Sequence, residues 1–413
     1  MEIFDSLTKK IQQFRPKKQG QVKMYTCGPT VYARPHIGNF RTYVWEDLFK
    51  RYLIYLGYKV THVMNITDFD NTIVKEAKKR KCNCHKLALR CEVLFRKDAS
   101  LLELLPADKY PHVSQYVNKM ADWVIQLQES KLAYKDEQGR VFFDLSKYPP
   151  YGELSGNRLK PKKRRVTLEE YKRHLAGDFL IWKPCNAAGK RMGFCFQSKL
   201  GWAYPAWNLH CAVMSFETLG RAIDVAMGGR DNIFNHHENT RALVEALKGE
   251  YAKYWIHIRH LIVNGQKMSK SKGNVIYLKD LTKRGFSPRM VRFLLFSVHY
   301  RKRMNFTWKY AYAIKRRYVR IKKAIEVLAK KRGKENREFE KLAKKLQDEF
   351  ERCMGHDLDA PGAITAIEKF LQRAAKEEAS EAQAKAALLL LAKLDRVLAI
   401  LPQDKQEHKG ARL

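Results

Sequence analysis

Residues 22–30 (VKMYTCGPT) form a short, apolar, β-prone run closed by Gly-Pro, which predicts a buried strand ending in a turn. A loop, RPHIGNFR, follows. Apolar residues then recur at helical spacing over 42–56, and residues 58–66 (YKVTHVMNI) predict a second strand. Strand, loop, helix and strand make a βαβ unit. Past Asp68 the pattern is Lys-rich and helical to about residue 135, and RVFFD at 140–144 predicts another strand; the stretch to about 205 reads as an insertion. Apolar segments at 207–216, 222–227 and 255–263 supply a second α/β half. Beyond about 283 the pattern is helical to the end, with one apolar face over 314–331 and another over 384–400. There is no internal repeat or heptad array.

Composition narrows the class. The chain has 413 residues, of which 45% are hydrophobic and 11% aromatic, so it can bury a sizeable core and is neither a disordered tail nor a collagen-like rod. Its 80 Lys and Arg stand against 43 Asp and Glu, a net charge of +37. Self-repulsion on that scale is tolerated mainly where a polyanion neutralises it, which makes nucleic acid the first partner to consider. The basic run GNRLKPKKRR at 156–165 reads as a mobile loop, and the densest Lys/Arg excess lies on the helix around 315–334. No apolar run reaches the roughly 18 residues that span a bilayer, and the first residues have no signal-peptide core, so a soluble, cytoplasmic protein without membrane contact is expected. The eight Cys are expected as reduced thiols or metal ligands.

Two segments carry phosphate chemistry. His36-Ile37-Gly38-Asn39 lies between the first strand and the first helix, where helix amides receive phosphate oxygens and Gly permits close approach. Lys267-Met268-Ser269-Lys270-Ser271-Lys272-Gly273-Asn274 offers ammonium groups suited to neutralising charge on nucleotide phosphates during transfer. Cys27, Cys211 and His236 offer two thiolates and an imidazole, the three-ligand set with one open position that describes a catalytic Zn²⁺ site. Cys82, Cys84, His85 and Cys91 lack a second matched pair, and the cysteines read as surface or buried thiols rather than a zinc site.

In this order and spacing the two phosphate segments resemble the HIGH and KMSKS signatures of class I aminoacyl-tRNA synthetases, with Asn39 at the last HIGH position. The wider setting resembles cysteinyl-tRNA synthetases: YTCGPTVY at 25–32, NITD at 65–68, DFLIWK at 178–183, GGRD at 228–231 and HHEN at 236–239 occur in family order. The likeness runs from about residue 20 to about 400. It implies an α/β fold, a Rossmann-type catalytic domain with an insertion, followed by an all-α helical bundle. Its parts would be 1–87 and 206–275 as the catalytic halves, 88–205 as the connective insertion, 276–335 as a stem-contact region and 336–413 as a shortened anticodon-binding-type bundle. It implies a monomeric ligase that activates cysteine with ATP and Mg²⁺ and transfers it to tRNA(Cys). By resemblance, His36, Asn39, Lys267 and Lys270 are catalytic; those four with Gly38 and Ser269 bind ATP; Cys27, Thr67, Trp207 and Asp231 bind cysteine; and Cys27, Cys211 and His236 hold Zn²⁺, which selects the thiolate over serine's hydroxyl.

Departures cluster at the pocket. Thr240 stands where the family has a Glu ligand, Asn208 and His210 where it has His and Glu, and Ala226 and Met227 where it has His and Gly. His210 is then expected either to alter the ligands' surroundings or to become a ligand, whereas His237 and Glu238, on a helix, would face away from the side shared by 236 and 240. The end at Leu413 and the missing Glu also resemble the related ligase that joins cysteine to a glucosaminyl-inositol, and a catalytically impaired RNA-binding paralogue is a further alternative. The charge of +37 favours tRNA over a small amine acceptor.

Overall fold

The computed structural model describes residues 1–157, 165–166, 177–191, 193–269 and 272–402. The basic loop expected at 156–165 falls almost wholly outside them. The elements in chain order are β1 (Glu2–Asp5), β2 (Lys10–Gln13), β3 (Gln21–Thr26), α1 (Ile37–Tyr55), β4 (Lys59–Met64), α2 (Asn71–Lys79), α3 (Cys84–Leu101) and α4 (Val117–Glu129). Next come β5 (Ala133–Lys135), β6 (Val141–Phe143), β7 (Arg165–Val166), β8 (Asp178–Pro184), α5 (Ala187–Arg191), β9 (Phe196–Ser198) and β10 (Gly201–Pro205). The second half holds α6 (Trp207–Leu219), β11 (Ile223–Gly229), α7 (Glu238–Lys248), β12 (Ala252–Ile258), β13 (Leu261–Val263) and β14 (Gln266–Lys267). The chain closes with α8 (Leu278–Thr282), α9 (Pro288–Phe296), β15 (Met304–Phe306), α10 (Trp308–Ala329), α11 (Arg337–Gly355), α12 (Ala360–Ala374) and α13 (Glu381–Leu398).

The central sheet is parallel, in the order β12-β11-β3-β4. Its strands read as near-continuous apolar runs because both faces are covered. Met24, Val225, Met227 and Ile256 point to the side packed by Val44, Leu48 and Phe49 of α1. The alternate residues Tyr25, Ala226 and Trp255 point to the other side, against Leu209, Ala212 and Val213 of α6. The segment between β4 and α6 builds a separate sheet, β5-β6-β8-β10-β9, antiparallel along that path, with β7 parallel to β8.

Three expectations are corrected. The loop RPHIGNFR is shorter than expected, since α1 starts at Ile37 with His36 as its N-cap. The stretch beyond 283 is not helical throughout, because β15 pairs in parallel with β13. The cysteines are not all free: the turn from β8 back through β9 and β10 brings the Cα atoms of Cys185 and Cys195 to 6.1 Å, and the two form a disulfide.

Two buried arginines tie α1 to the distant chain. Arg41, wholly buried, donates from Nε to the carbonyl of Arg259 (3.1 Å), from Nη1 to that of Leu295 (2.8 Å) and from Nη2 to those of Val298, His299 and Lys302 (3.0, 3.0 and 3.1 Å). Burial pushes its pKa down to about 9, so it keeps its charge at neutral pH. Arg292 of α9 joins Asp47 of α1 at 2.7 Å to the carbonyls of Leu102 and Leu398. A lost hydrogen bond to a charged donor costs roughly 1.5–3 kcal/mol, and Arg41 carries several. Arg41→Met is therefore expected to lower unfolding stability by about 3 kcal/mol or more. A urea midpoint equal to that of the parent chain would show that these carbonyls do not depend on it.

Candidate active site

The C-terminal ends of the parallel strands surround a cavity of about 560 Å³. Open α/β sheets bind ligands at this edge. His36, Asn39, Cys27, Thr67, Trp207, Cys211, Asp231, His236, Met268 and Ser269 all line it. Residues from distant parts of the chain thus meet at one place. Lys267 lies on the exposed strand β14 just before Met268. Lys270 lies outside the described residues.

At the entrance to α1 the phosphate segment folds on itself. The backbone N–H of Asn39 donates to His36 Nδ1 (3.2 Å), and the N–H of His36 donates to Asn39 Oδ1 (3.1 Å). This is a reciprocal capping box, and it explains why Asn serves at position 39: the cap needs a side-chain acceptor there. Because Nδ1 accepts, the imidazole proton sits on Nε2. A Cβ on Gly38 would lie 3.0 Å from the His36 ring, so any larger residue would press on the ring. The N–H of Ile37 donates to the carbonyl of Ile276 (2.9 Å), and the methyl of Met268 lies over Gly38, which joins the two phosphate segments. Asn274 braces the second one, accepting from the N–H of Ser269 (2.8 Å) and donating to the carbonyl of Lys267 (3.2 Å).

On the cavity's opposite side, Cys27 Sγ and Cys211 Sγ are 3.7 Å apart and His236 Nε2 is 3.1 Å from Cys211 Sγ. The three ligand atoms lie within 4.8 Å of one another. Among the described residues this is the one cluster of potential ligands that meets that criterion. Cys82, Cys84 and Cys91 are thiols outside it and form no disulfide, the first exposed and the others buried. Cys27 is held protonated by its hydrogen bond to Cys211 and by burial. Cys211 is the favoured thiolate: burial opposes its ionisation, but hydrogen bonds and charge from Cys27 and His236 outweigh it. Two sulfurs and an imidazole nitrogen converging in a buried corner fit a soft, four-coordinate divalent ion such as Zn²⁺. The Trp207 ring stacks on His236 at 4.0 Å between centroids, so it orients the imidazole rather than serving as remote core.

The altered positions resolve differently from expectation. His210 turns away, its Nε2 meeting the carbonyl of Pro205 at 3.2 Å, and burial lowers its pKa to about 3; it joins no ligand set. His237 does not face away. Phe234 is extended and Asn235 left-handed (φ 80°), so 236–237 precede the regular helix α7, and His237 Nε2 lies 2.9 Å from Cys27 Sγ. Its Nδ1 meets His257 Nε2 at 2.7 Å. Thr240 is buried without a partner for its hydroxyl. Asn65, the first residue of the NITD segment, has no role that its sequence position predicts, yet it connects three parts of the site. Its Oδ1 accepts from the N–H of Gly28 (3.1 Å) and lies 3.7 Å from Cys211 Sγ, and its Nδ2 donates to Thr67 Oγ1 (3.1 Å). A Cβ on Gly28 would sit 1.8 Å from the Asn65 carbonyl, which only glycine avoids.

Solved structures share this architecture. A Mycobacterium tuberculosis methionyl-tRNA synthetase in complex with methionyl-adenylate superposes with a TM-score of 0.66 at 16% identity, over 91% of this chain and 89% of its own. The Agrobacterium radiobacter K84 LeuRS in a ternary complex with tRNA and LeuAMS gives 0.69 at 12% identity, over 94% and 85%. The fold is therefore that of a class I tRNA synthetase. The model for the catalytic domain of tRNA synthetases class I (C) matches residues 13–315, and the chain belongs to that family. The cysteine–tRNA ligase of Chlamydia muridarum is 37% identical over 97% of this chain and 88% of its own length, and that of Protochlamydia amoebophila 32% identical over 99% and 87%.

If Cys211 and His236 are ligands, Cys211→Ala and His236→Ala should each remove most of about one equivalent of bound Zn²⁺ per chain. The sulfur-to-metal absorption of a cobalt-substituted sample should disappear with it. Affinity should fall as pH falls, since ligand protonation competes with the metal. Metal content unchanged in both variants would show the cluster to be wrongly assigned.

Proposed function

We propose that the chain is an ATP-dependent cysteine–tRNA ligase whose thiol-imidazole corner selects the amino acid. The observation that carries this reading is the presence of that corner and the two phosphate segments in one cavity. A bound Zn²⁺ at Cys27, Cys211 and His236 would supply a Lewis acid that prefers sulfur to the serine hydroxyl. Asp231 is the one carboxylate lining the cavity among its described residues, and it would pair with the amino acid's ammonium group. Thr67, held by Asn65, and Trp207 shape the remaining walls. ATP with Mg²⁺ would lie across the entrance of α1, its phosphates facing Gly38, Asn39 and Ser269. The cysteine carboxylate attacks the α-phosphate and pyrophosphate leaves. His36 Nε2–H, Lys267 and Lys270 donate to the oxygens on which negative charge grows. A terminal ribose hydroxyl of tRNA(Cys) then attacks the adenylate carbonyl, and AMP leaves.

The division of labour follows the chain: residues 1–87 and 206–275 for adenylation, 88–205 as the connective insertion, 276–335 against the acceptor stem and 336–413 toward the anticodon. A charge of +37 favours tRNA as acceptor over a small amine. Among the described residues no helix is long and apolar enough to cross a membrane.

Cysteine-dependent ATP–pyrophosphate exchange is the first test, with tRNA(Cys) charging the second. His36→Ala should slow exchange by about 10²–10³-fold, the scale of losing one donor to a developing charge. Exchange without charging of tRNA, but with transfer to a small amine, would overturn the acceptor. No exchange at all would overturn both steps.

A further inference from the structure

Three arginines outside the chemistry described so far converge beside the cavity. Arg230 follows β11 and Arg259 follows β12, and the register pairs Gly229 with Ile258, so the two leave the sheet side by side at its ligand-binding edge. Arg303 immediately precedes β15, where Leu261 pairs with Met304 and the N–H of Met304 donates to the carbonyl of His260 at 3.1 Å. That register sets Arg303 next to Arg259 and His260. Arg230 and Arg303 are exposed and Arg259 is half-buried.

No carboxylate among the described residues forms an ion pair with any of the three. Of the nearby acids, Asp231 lines the cavity, 4.0 Å from His260 Nδ1, and Asp357 pairs with Arg301 at 2.5 Å. Partial desolvation, then the charges of Arg259 and Arg303, depress the pKa of Arg230. Like charges held this close cost stability, and here they are held rigidly. Arg41 fixes the carbonyls of Arg259 and Lys302, so the backbone on two sides of the cluster is anchored by the same buried guanidinium. Clustered, uncompensated charge on a fixed frame is what a polyanion site requires. Gly229 and Asp231, flanking Arg230, line the cavity, so the cluster stands at its mouth. ATP's phosphates are already provided for at α1 and the Lys267 segment.

We propose that Arg230, Arg259 and Arg303 form a phosphodiester-binding triad that receives the backbone of the RNA strand whose 3′ end enters the cavity. The inference rests on the tRNA-ligase reading and adds residues that the chemistry of adenylation does not use. Arg guanidiniums bind phosphate bidentately, which positions a strand without reading its sequence.

The test compares the parent chain with R230Q/R303Q and with R259Q, using as a control Lys59→Gln, an exposed residue at the N-terminal end of β4, the sheet edge away from the cavity. Cysteine-dependent ATP–pyrophosphate exchange should stay within about twofold in all, whereas kcat/KM for tRNA charging should fall by about 10-fold or more in the triad variants only. The slope of log Kd for tRNA against log salt should shrink by about two in the double variant. Unchanged charging and slope would overturn the triad while leaving the proposed function intact. A matching rise in KM for ATP during exchange would also overturn it, assigning the arginines to nucleotide phosphate. A parent chain that exchanges but charges no tRNA would instead overturn the acceptor reading beneath both.

Discussion

The side of the cavity that faces phosphate is hung from the N-terminal turns of α1, and α1 is held by Arg41. One buried guanidinium gathers carbonyls from residues 259 to 302, the stretch that also carries β13, β14 and the second phosphate segment. His36 and Asn39 lie within five residues of that anchor. The relative position of the two phosphate segments, more than 200 residues apart in sequence, is thereby set by hydrogen bonds inside the core. The contact from Ile37 to Ile276 repeats the constraint at the surface of the cavity. Catalysis by positioned donors depends on such prior fixing, because donors that must reorganise contribute far less.

The opposite wall is built from strand and helix ends. Cys27 follows β3, Asn65 follows β4, Cys211 lies in the first turns of α6, and His236 precedes α7. The left-handed Asn235 determines how the last of these enters: it breaks the path so that His236 and His237 reach different sulfurs. In the proposed function, selection rests on the affinity of atoms rather than on the fit of a methylene-sized space. A shape-based pocket would separate cysteine from serine poorly, since the two differ by one atom.

Much of this was legible in the chain. The period of apolar residues gave the strands and helices of the βαβ unit, because buried parallel strands are apolar throughout and flanking helices keep a one-sided stripe. The residues of both phosphate segments and the three ligand candidates stand out by their order and by their likeness to the synthetase motifs around them. What periodicity missed has a common cause. β15 is three residues long and paired at a distance, so Met304–Phe306 leaves no local signal. The Cys185–Cys195 bond depends on a hairpin path, not on spacing alone. The helical-face argument that sent His237 away failed because the helix begins only at Glu238, and a single left-handed backbone angle at a non-Gly residue is invisible to a 3.6-residue period. The roles of Asn65 and Arg41 are tertiary: each is defined by partners brought in from elsewhere.

The strand order also has a history in time. β3 is a central strand, but its second neighbour, β11, is synthesised about 200 residues after it, with Val225 pairing Met24. At roughly 5–20 residues per second, a ribosome leaves that edge of β3 and the apolar faces around it unpartnered for some 10–40 s. The intervening insertion sheet, whose pairings lie within residues 133–205, can fold during this interval. Arg41 has no carbonyl to hold until residue 259 has emerged, and its full set only at residue 302. The enzyme's core therefore closes late and nearly at once, and a nascent chain stalled before β11 would expose an aggregation-prone strand edge rather than a stable half-domain.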